Sequence, residues 1–218
     1  MLRARGGFTL PEARDMIDEE DLADVLQSDL RYPVVAKPVR GRGSYGVRVC
    51  RSEEELIDHC GDLLGEDASV IVEDFLAGQE VTVTVMPPAP ATGRDGYWAM
   101  PVVERFNHAD GIAPYNGIVA VLQNSRCLSK GEHIADPHYV DARRFTEDVS
   151  SPFALFDVNM KPNMTGPGRP GRENQASLTA LAAAGMGWDY PTLLLKILES
   201  SSSLRDLRSV TPLHVSGK

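Results

Sequence analysis

The 218 residues carry 22 Lys plus Arg against 31 Asp plus Glu, a formal net charge of −9, and so acidic a chain argues against a broad phosphate-backbone interface and against nucleic acid as a partner. With 42% apolar and 24% charged residues, composition excludes a disordered chain and leaves enough for one sizeable core or two small ones. No apolar run approaches the roughly 20 residues of a membrane span, and the three cysteines, Cys50, Cys60 and Cys127, lack a CxxC spacing; a cytoplasmic protein without membrane anchor, disulfide framework or zinc site is the expectation.

Along the chain, residues 10–30 read as one acidic surface helix with Ile17, Leu22, Val25 and Leu26 on its apolar side. Tyr32-Pro33-Val34-Val35-Ala36-Lys37-Pro38 reads as a short buried strand, because β-branched residues suit a pleated sheet and proline stops it. A glycine loop from Arg40 to Gly46 then leads into Val47-Arg48-Val49-Cys50, of period two, which makes a hairpin. Ser52 and Glu55 form a capping box ahead of a helix whose stripe is Leu56, Ile57, Cys60, Leu63 and Leu64. Ser69 to Glu73 is a second buried strand, residues 74–79 a hinge, and Glu80 to Val85 alternates strictly as the start of another sheet. Strands are expected at 97–106, 118–122 and 153–158, and helices at 173–184 and 191–199, the latter with Pro191 in its first turn. The serine run 200–203 and the residues after it read as a mobile tail.

The glycines at 41, 43 and 46 spell GxGxxG. In a dinucleotide-binding fold a helix must open at the third glycine, whereas here period two resumes at once. In a kinase hairpin an HRD and a DFG should follow, and neither is present. What is left is a glycine hairpin whose backbone N–H groups can wrap phosphate oxygens, entered from the strand that carries Lys37. Only five residues of the chain are lysine, and one within an apolar strand needs a carboxylate or a ligand phosphate opposite it unless it snorkels to solvent. Asp157 and Asn159 stand two apart at the end of a buried strand, hence on one face, as either oxygen ligands for magnesium or an Asx turn ahead of Pro162. The five histidines, His108 among them, lack metal-ligand spacing.

Three ordered segments carry a family resemblance: Pro33-Val34-Val35-Ala36-Lys37-Pro38 with its glycine loop, Glu73-Asp74-Phe75-Leu76-Ala77-Gly78-Gln79-Glu80-Val81-Thr82-Val83, and Asp157-Val158-Asn159-Met160-Lys161-Pro162-Asn163-Met164-Thr165. Together the chain resembles the ATP-grasp superfamily, in its D-alanine–D-alanine ligase-like branch, over about residues 31–200. The resemblance implies an α+β fold of two subdomains with the nucleotide between them: an N-terminal remnant at 1–30, a lid at 31–78, a catalytic subdomain at 79–200 and a tail at 201–218. It implies ATP and magnesium as cofactors. Lys37 would touch the phosphates, Gly43, Ser44, Tyr45 and Gly46 would close over them, Glu73 and the backbone through Leu76 would hold adenine, and Glu80 the ribose. Asp157 and Asn159 would hold the metal, and Asn163 would sit near the acceptor. Two assignments depart from the family pattern. Asp141 stands as a third metal ligand or as a solvated loop aspartate, and Arg105 as the basic group on the γ-phosphate or as a solvated strand-end residue. Residues 1–30 offer no counterpart to the domain that precedes the ATP-grasp body in the family.

The implied activity is ligation of a small-molecule carboxylate to an amine, with the carboxylate activated by ATP as an acylphosphate. The alternatives are a truncated ATP-binding protein without ligase activity, and a NAD(P)-binding module if a helix follows Gly46.

Overall fold

The computed structural model describes residues 9–16, 18–41, 44–66, 69–106, 108, 111, 124–128, 141–159, 162–173, 175–201, 203, 205 and 208. It is an α+β protein built on two antiparallel sheets. The first contains β1 (Ala13–Met16), β2 (Val34–Pro38), β3 (Arg48–Cys50) and β4 (Val70–Asp74) in the order β1-β4-β2-β3, and carries α1 (Glu19–Gln27) and α2 (Glu53–Gly65). The second contains β5 (Glu80–Thr82), β8 (Val103–Arg105), β9 (Ser125–Cys127), β10 (Asp141–Arg144) and β11 (Phe153–Asp157) in the order β11-β10-β5-β8-β9. A separate two-stranded ribbon pairs β6 (Val85–Met86) with β7 (Trp98–Ala99), and α3 (Leu178–Gly185) and α4 (Tyr190–Glu199) close the chain's second core.

Strand alternation gives the first sheet two unlike faces. Val34, Ala36, Val70 and Val72 point to one side, where they pack with Leu56, Cys60 and Leu63 of α2 and with Met16 and Val25. Leu56 is fully buried there, so truncation to alanine is worth about 2–5 kcal/mol. Val35, Lys37 and Glu73, being the intervening residues, fall on the other face and line a cleft. The second core gathers Met86, Met100, Val103, Ala180, Ala183 and Leu193, with Trp98 and Trp188 edge to face at 6.0 Å beside it. It lies under α3 and α4, whose N-termini are capped by Ser177 and Asp189.

The segment expected as one helix at 10–30 divides into β1 and α1. Only Met16 of β1 is buried, so its sequence has no apolar alternation to announce a strand. It exists because the edge of β4 accepts it, with Ala13 to Met16 paired against Glu73 to Val70. The helix starts later than expected because Asp18 caps it, accepting from the N–H groups of Glu20 and Asp21 while Asp21 returns the bond to Asp18. The run 80–85 is likewise interrupted, with β5 ending at Thr82 and Val85 turning to pair with Ala99. The strand expected over 97–106 splits into β7 and β8, where Met100 N–H donates to Thr84 O and Pro101 follows. The helix expected from 173 begins at Leu178. The expected strand 118–122 and the region beyond 208 lie outside the described residues.

After Gly46 comes β3, paired antiparallel with β2. A dinucleotide fold requires a helix there, so that alternative is set aside.

Candidate functional site

Between the two sheets lies a cleft of about 280 Å³. One wall is the cleft face of β2 and β4 with the glycine hairpin, represented by Val35, Lys37, Ser44, Tyr45, Val47 and Glu73. The opposite wall comes from the second sheet through Glu80, Arg105, Arg143, Phe156 and Asp157, and the crossing segment Asp74-Phe75-Leu76 joins the two. Lys37 and Asp157, on different sheets and 120 positions apart in sequence, thus face one space.

Lys37 Nζ donates to Glu73 Oε1 at 2.6 Å. The pair is made by register, since Val35 opposes Glu73 across β2 and β4 and Lys37 stands two residues along on the same face. Burial pushes the Glu73 carboxyl above the usual carboxylate range; the Lys37 ammonium pulls it back, and the charges of Asp157 and Asp74 push it up again. The hairpin reverses through Ser44 at φ 63 and Gly46 at φ 71. A Cβ on Gly46 would meet Pro38 and Leu63 at 3.0–3.1 Å, so glycine serves both the left-handed turn and the close approach. Gly46 therefore packs beneath the hairpin, its carbonyl 2.8 Å from His59 Nε2, while Ser44 and Tyr45 line the cleft; Gly43 lies outside the described residues.

Glu80, 6% exposed, is the most heavily partnered acid of the site. Its Oε1 accepts from Arg105 Nη1 at 3.0 Å, its Oε2 is 3.0 Å from His108 Nε2, and Arg143 Nη1 stands 3.9 Å away. Burial would raise its pKa, but the close approach of His108 and the charges of Arg105, His108 and Arg143 outweigh burial and hold it below the ordinary value. Leu76, 5% exposed, lies on the crossing.

Asp141 is a strand residue, the first of β10, and its Cα is paired with that of Asp157 on β11. The pairing depends on a bulge, because the register shifts by one between Asp141 and Ala142, which opposes Leu155. Thr82 Oγ1 donates to Asp141 Oδ1 at 2.5 Å. Burial first, then the charges of Asp157 and Glu80, push the Asp141 carboxyl up to about 6, although the Thr82 hydroxyl opposes them. Two carboxylates brought together at such a cost, with an amide two residues beyond Asp157, make an all-oxygen donor set that fits a hard divalent cation such as magnesium. Asp157 and Asn159 are both exposed, and Asn159 lies beyond the strand end. Among the described residues no three His, Cys, Asp or Glu side chains cluster to hold a metal alone, so the amide or outside oxygens must complete any shell. Asn163 accepts from Thr165 N–H at 3.0 Å in a local turn.

Two contributors escaped the sequence. His108 lacks metal-ligand spacing, yet it lies against Glu80; nothing in its spacing announces that. Arg143 donates from Nε to Gly78 O at 2.9 Å and from Nη1 to Gly111 O at 2.7 Å, with its guanidinium 5.2 Å from the Phe75 ring centroid. Strand alternation from Asp141 would have placed it on the same face.

Residues 8–104 match the family described as D-ala D-ala ligase C-terminus. The D-alanine–D-alanine ligase of Aquifex aeolicus is 27% identical over 210 residues, covering 88% of this chain and 64% of that protein. Among solved structures, a D-alanine–D-alanine ligase from Bacillus anthracis complexed with ATP superposes with TM-score 0.56 at 22% identity, over 96% of this chain and 64% of the other. The VanG D-Ala:D-Ser ligase from Enterococcus faecalis gives TM-score 0.60 at 18% identity, over 91% and 59%. The structural likenesses establish the fold, and the chain spans about 61–64% of the length of the curated relatives it matches.

Proposed function

We propose that the chain is an ATP-grasp protein of the D-alanine–D-alanine ligase-like branch, which the family match over residues 8–104 and the ligase relatives support, and that it is an ATP- and magnesium-dependent carboxylate–amine ligase, with residues 31–78 as lid and 79–200 as catalytic body. The observation that carries this reading is the single cleft onto which Lys37, Glu80 and Asp157 converge from two sheets, with Asp141 paired to Asp157 at its edge.

In this reading a carboxylate oxygen of the first substrate attacks the γ-phosphorus, the bond to the β–γ bridging oxygen breaks, and ADP leaves. The amine of the second substrate then attacks the acylphosphate carbon, phosphate departs, and the nitrogen gives up a proton. Little covalent work falls to the protein; positioning and charge neutralisation dominate. Lys37 supplies a point charge to the phosphates and Arg105, already held by Glu80, a planar one to the γ-phosphoryl. Backbone N–H groups around Gly43, Ser44, Tyr45 and Gly46 cover the phosphates and exclude water. The crossing from Glu73 to Leu76 receives the base, and Glu80 accepts from ribose hydroxyls with whatever lone pairs its cations leave. Asp141, Asp157 and Asn159 would hold magnesium, whose charge screens the phosphate oxygens. Asn163 stands beside the acceptor.

D-alanine, the amino acid in the relatives' names, is the first substrate to supply. Magnesium-dependent ADP release that requires an added amino acid, lost in Lys37→Ala, is the expected result. Tight ATP binding without amino-acid-dependent ADP release, over a broad amino-acid panel, would instead support the binding-only alternative. Unchanged ATP affinity in Lys37→Ala would remove Lys37 from the site.

A further inference from the structure

Arg143 has no task in the reading above. It sits on the cleft face of β10, and pairing fixes its place along the cleft. Asp141 opposes Thr82 and Arg143 opposes Glu80, and Arg143 Nε reaches Gly78 O, on the crossing. The cleft therefore runs in order from the paired carboxylates, through Glu80 with Arg143, to Phe75. If phosphates lie at the carboxylate end, as proposed, the base lies at the Phe75 end.

The guanidinium is unusual there. Burial lowers the Arg143 pKa and Glu80 opposes the shift; its side chain is 13% exposed, yet it lines the cavity. Its Nε and Nη1 are held by the carbonyls of Gly78 and Gly111, which fixes the plane of the group. Gly111 packs closely on the Phe75 ring, since a Cβ there, at φ +80, would lie 3.1 Å from it. A planar cation immobilised by two carbonyls beside a closely packed aromatic ring is a stacking platform for a flat, electron-rich heterocycle.

We propose that Arg143 is a nucleobase-contacting residue, whose guanidinium face stacks on the purine at the Phe75 end of the cleft and supplies affinity that depends on the base and not on the phosphates. The proposal rests on the nucleotide site argued above and assigns the share of that affinity carried by the base.

The test is calorimetric binding of Mg·ATP and of magnesium tripolyphosphate, which lacks the base, to the wild type, Arg143→Lys and Arg143→Gln. Lysine keeps the charge beside Glu80 and loses the plane. Both variants should bind ATP about 5- to 20-fold more weakly, a loss in the range of a base stack, and tripolyphosphate within about twofold of the wild type. Equal ATP affinity in all three proteins overturns the proposal while leaving the nucleotide site standing. Parallel loss of both ligands, or loss in Arg143→Gln alone, also overturns it, because charge or structure would then be the whole contribution. A wild type that binds neither ligand overturns the nucleotide reading itself, and the proposal with it. Should the variants fail to fold, the wild type still decides: the Arg143 side-chain nitrogen resonances should shift on adding ATP and stay in place with tripolyphosphate. Identical shifts with both ligands refute base stacking.

Discussion

Replacing Lys37 by methionine removes the ammonium and keeps most of the aliphatic stem, and two separable losses should follow. Glu73 Oε1 loses its 2.6 Å donor while its side chain remains only 12% exposed. Breaking a fully buried ion pair costs about 3–5 kcal/mol, but this one borders a cleft, which reduces the expected loss to about 1–3 kcal/mol. The loss should depend on pH. The folded Glu73 carboxyl already titrates above its ordinary value because of burial, with Lys37 the principal opposing influence. Without Lys37 the folded state binds its proton more tightly still, so the penalty is absent below the unfolded pKa and grows as pH rises through the folded one. Urea denaturation at pH 5 and pH 8 should therefore show a larger deficit at pH 8. In Lys37→Met combined with Glu73→Gln the stability deficit should largely vanish, because no buried carboxylate is left unpaired. ATP affinity should not recover, since the missing phosphate contact is worth about 1.5–3 kcal/mol, or roughly 10- to 150-fold. A Lys37→Met protein within 0.5 kcal/mol of wild type at pH 8 on that ~1–3 kcal/mol scale, or a double variant that binds ATP normally, would refute the reasoning.

Asp141→Asn keeps an acceptor for Thr82 and removes a carboxylate raised to about 6. It should stabilise the metal-free chain by about 1–3 kcal/mol at pH 7.5 and by less near pH 5, where Asp141 is already protonated, as thermal melts at the two pH values would show. Glu80→Gln should cost about 2–4 kcal/mol in urea unfolding, since Arg105 and His108 lose a buried anion. Because the folded Glu80 carboxyl lies below its ordinary value, the stabilisation it gives is present above the unfolded pKa and disappears as pH falls through the folded one, and the glutamine variant should show a flatter acid limb. In Gly78→Ala the new Cβ would lie 2.0 Å from Thr146 O and 2.6 Å from the Arg144 Cβ; a loss of at least about 3 kcal/mol, or failure to fold, is expected on circular dichroism.

The segments that were legible are those whose signal is local. Val34-Val35-Ala36 between prolines, Ser52 with Glu55 before an apolar stripe, and Pro191 in a first turn each encode an element within a few residues, and β2, α2 and α4 form there. What escaped was set elsewhere in the chain. β1 has no strand pattern of its own and is held by the edge of β4. The strict alternation of 80–85 is overruled after Thr82 by pairing with Ala99.

The same division runs through the site. The three ordered segments that carry the family resemblance single out Lys37, Glu73, Glu80 and Asp157, and these four line one cleft. Around Asp141 the neighbours Tyr139, Val140 and Ala142 are too few to set a period; the bulge opposite Leu155 is what sets it against Asp157. His108, beyond the end of β8, and Arg143, within β10, meet at Glu80. Propensity, capping and alternation act over one or two turns of chain, so the amino-acid order by itself determined β2, α2 and α4 and which face of β2 carries the lysine. Register, bulges and the meeting of two sheets depend on energies summed across residues far apart in sequence. Only the folded chain decided which cations hold Glu80, which carboxylate faces Asp157, and that the Arg143 guanidinium lines the cleft.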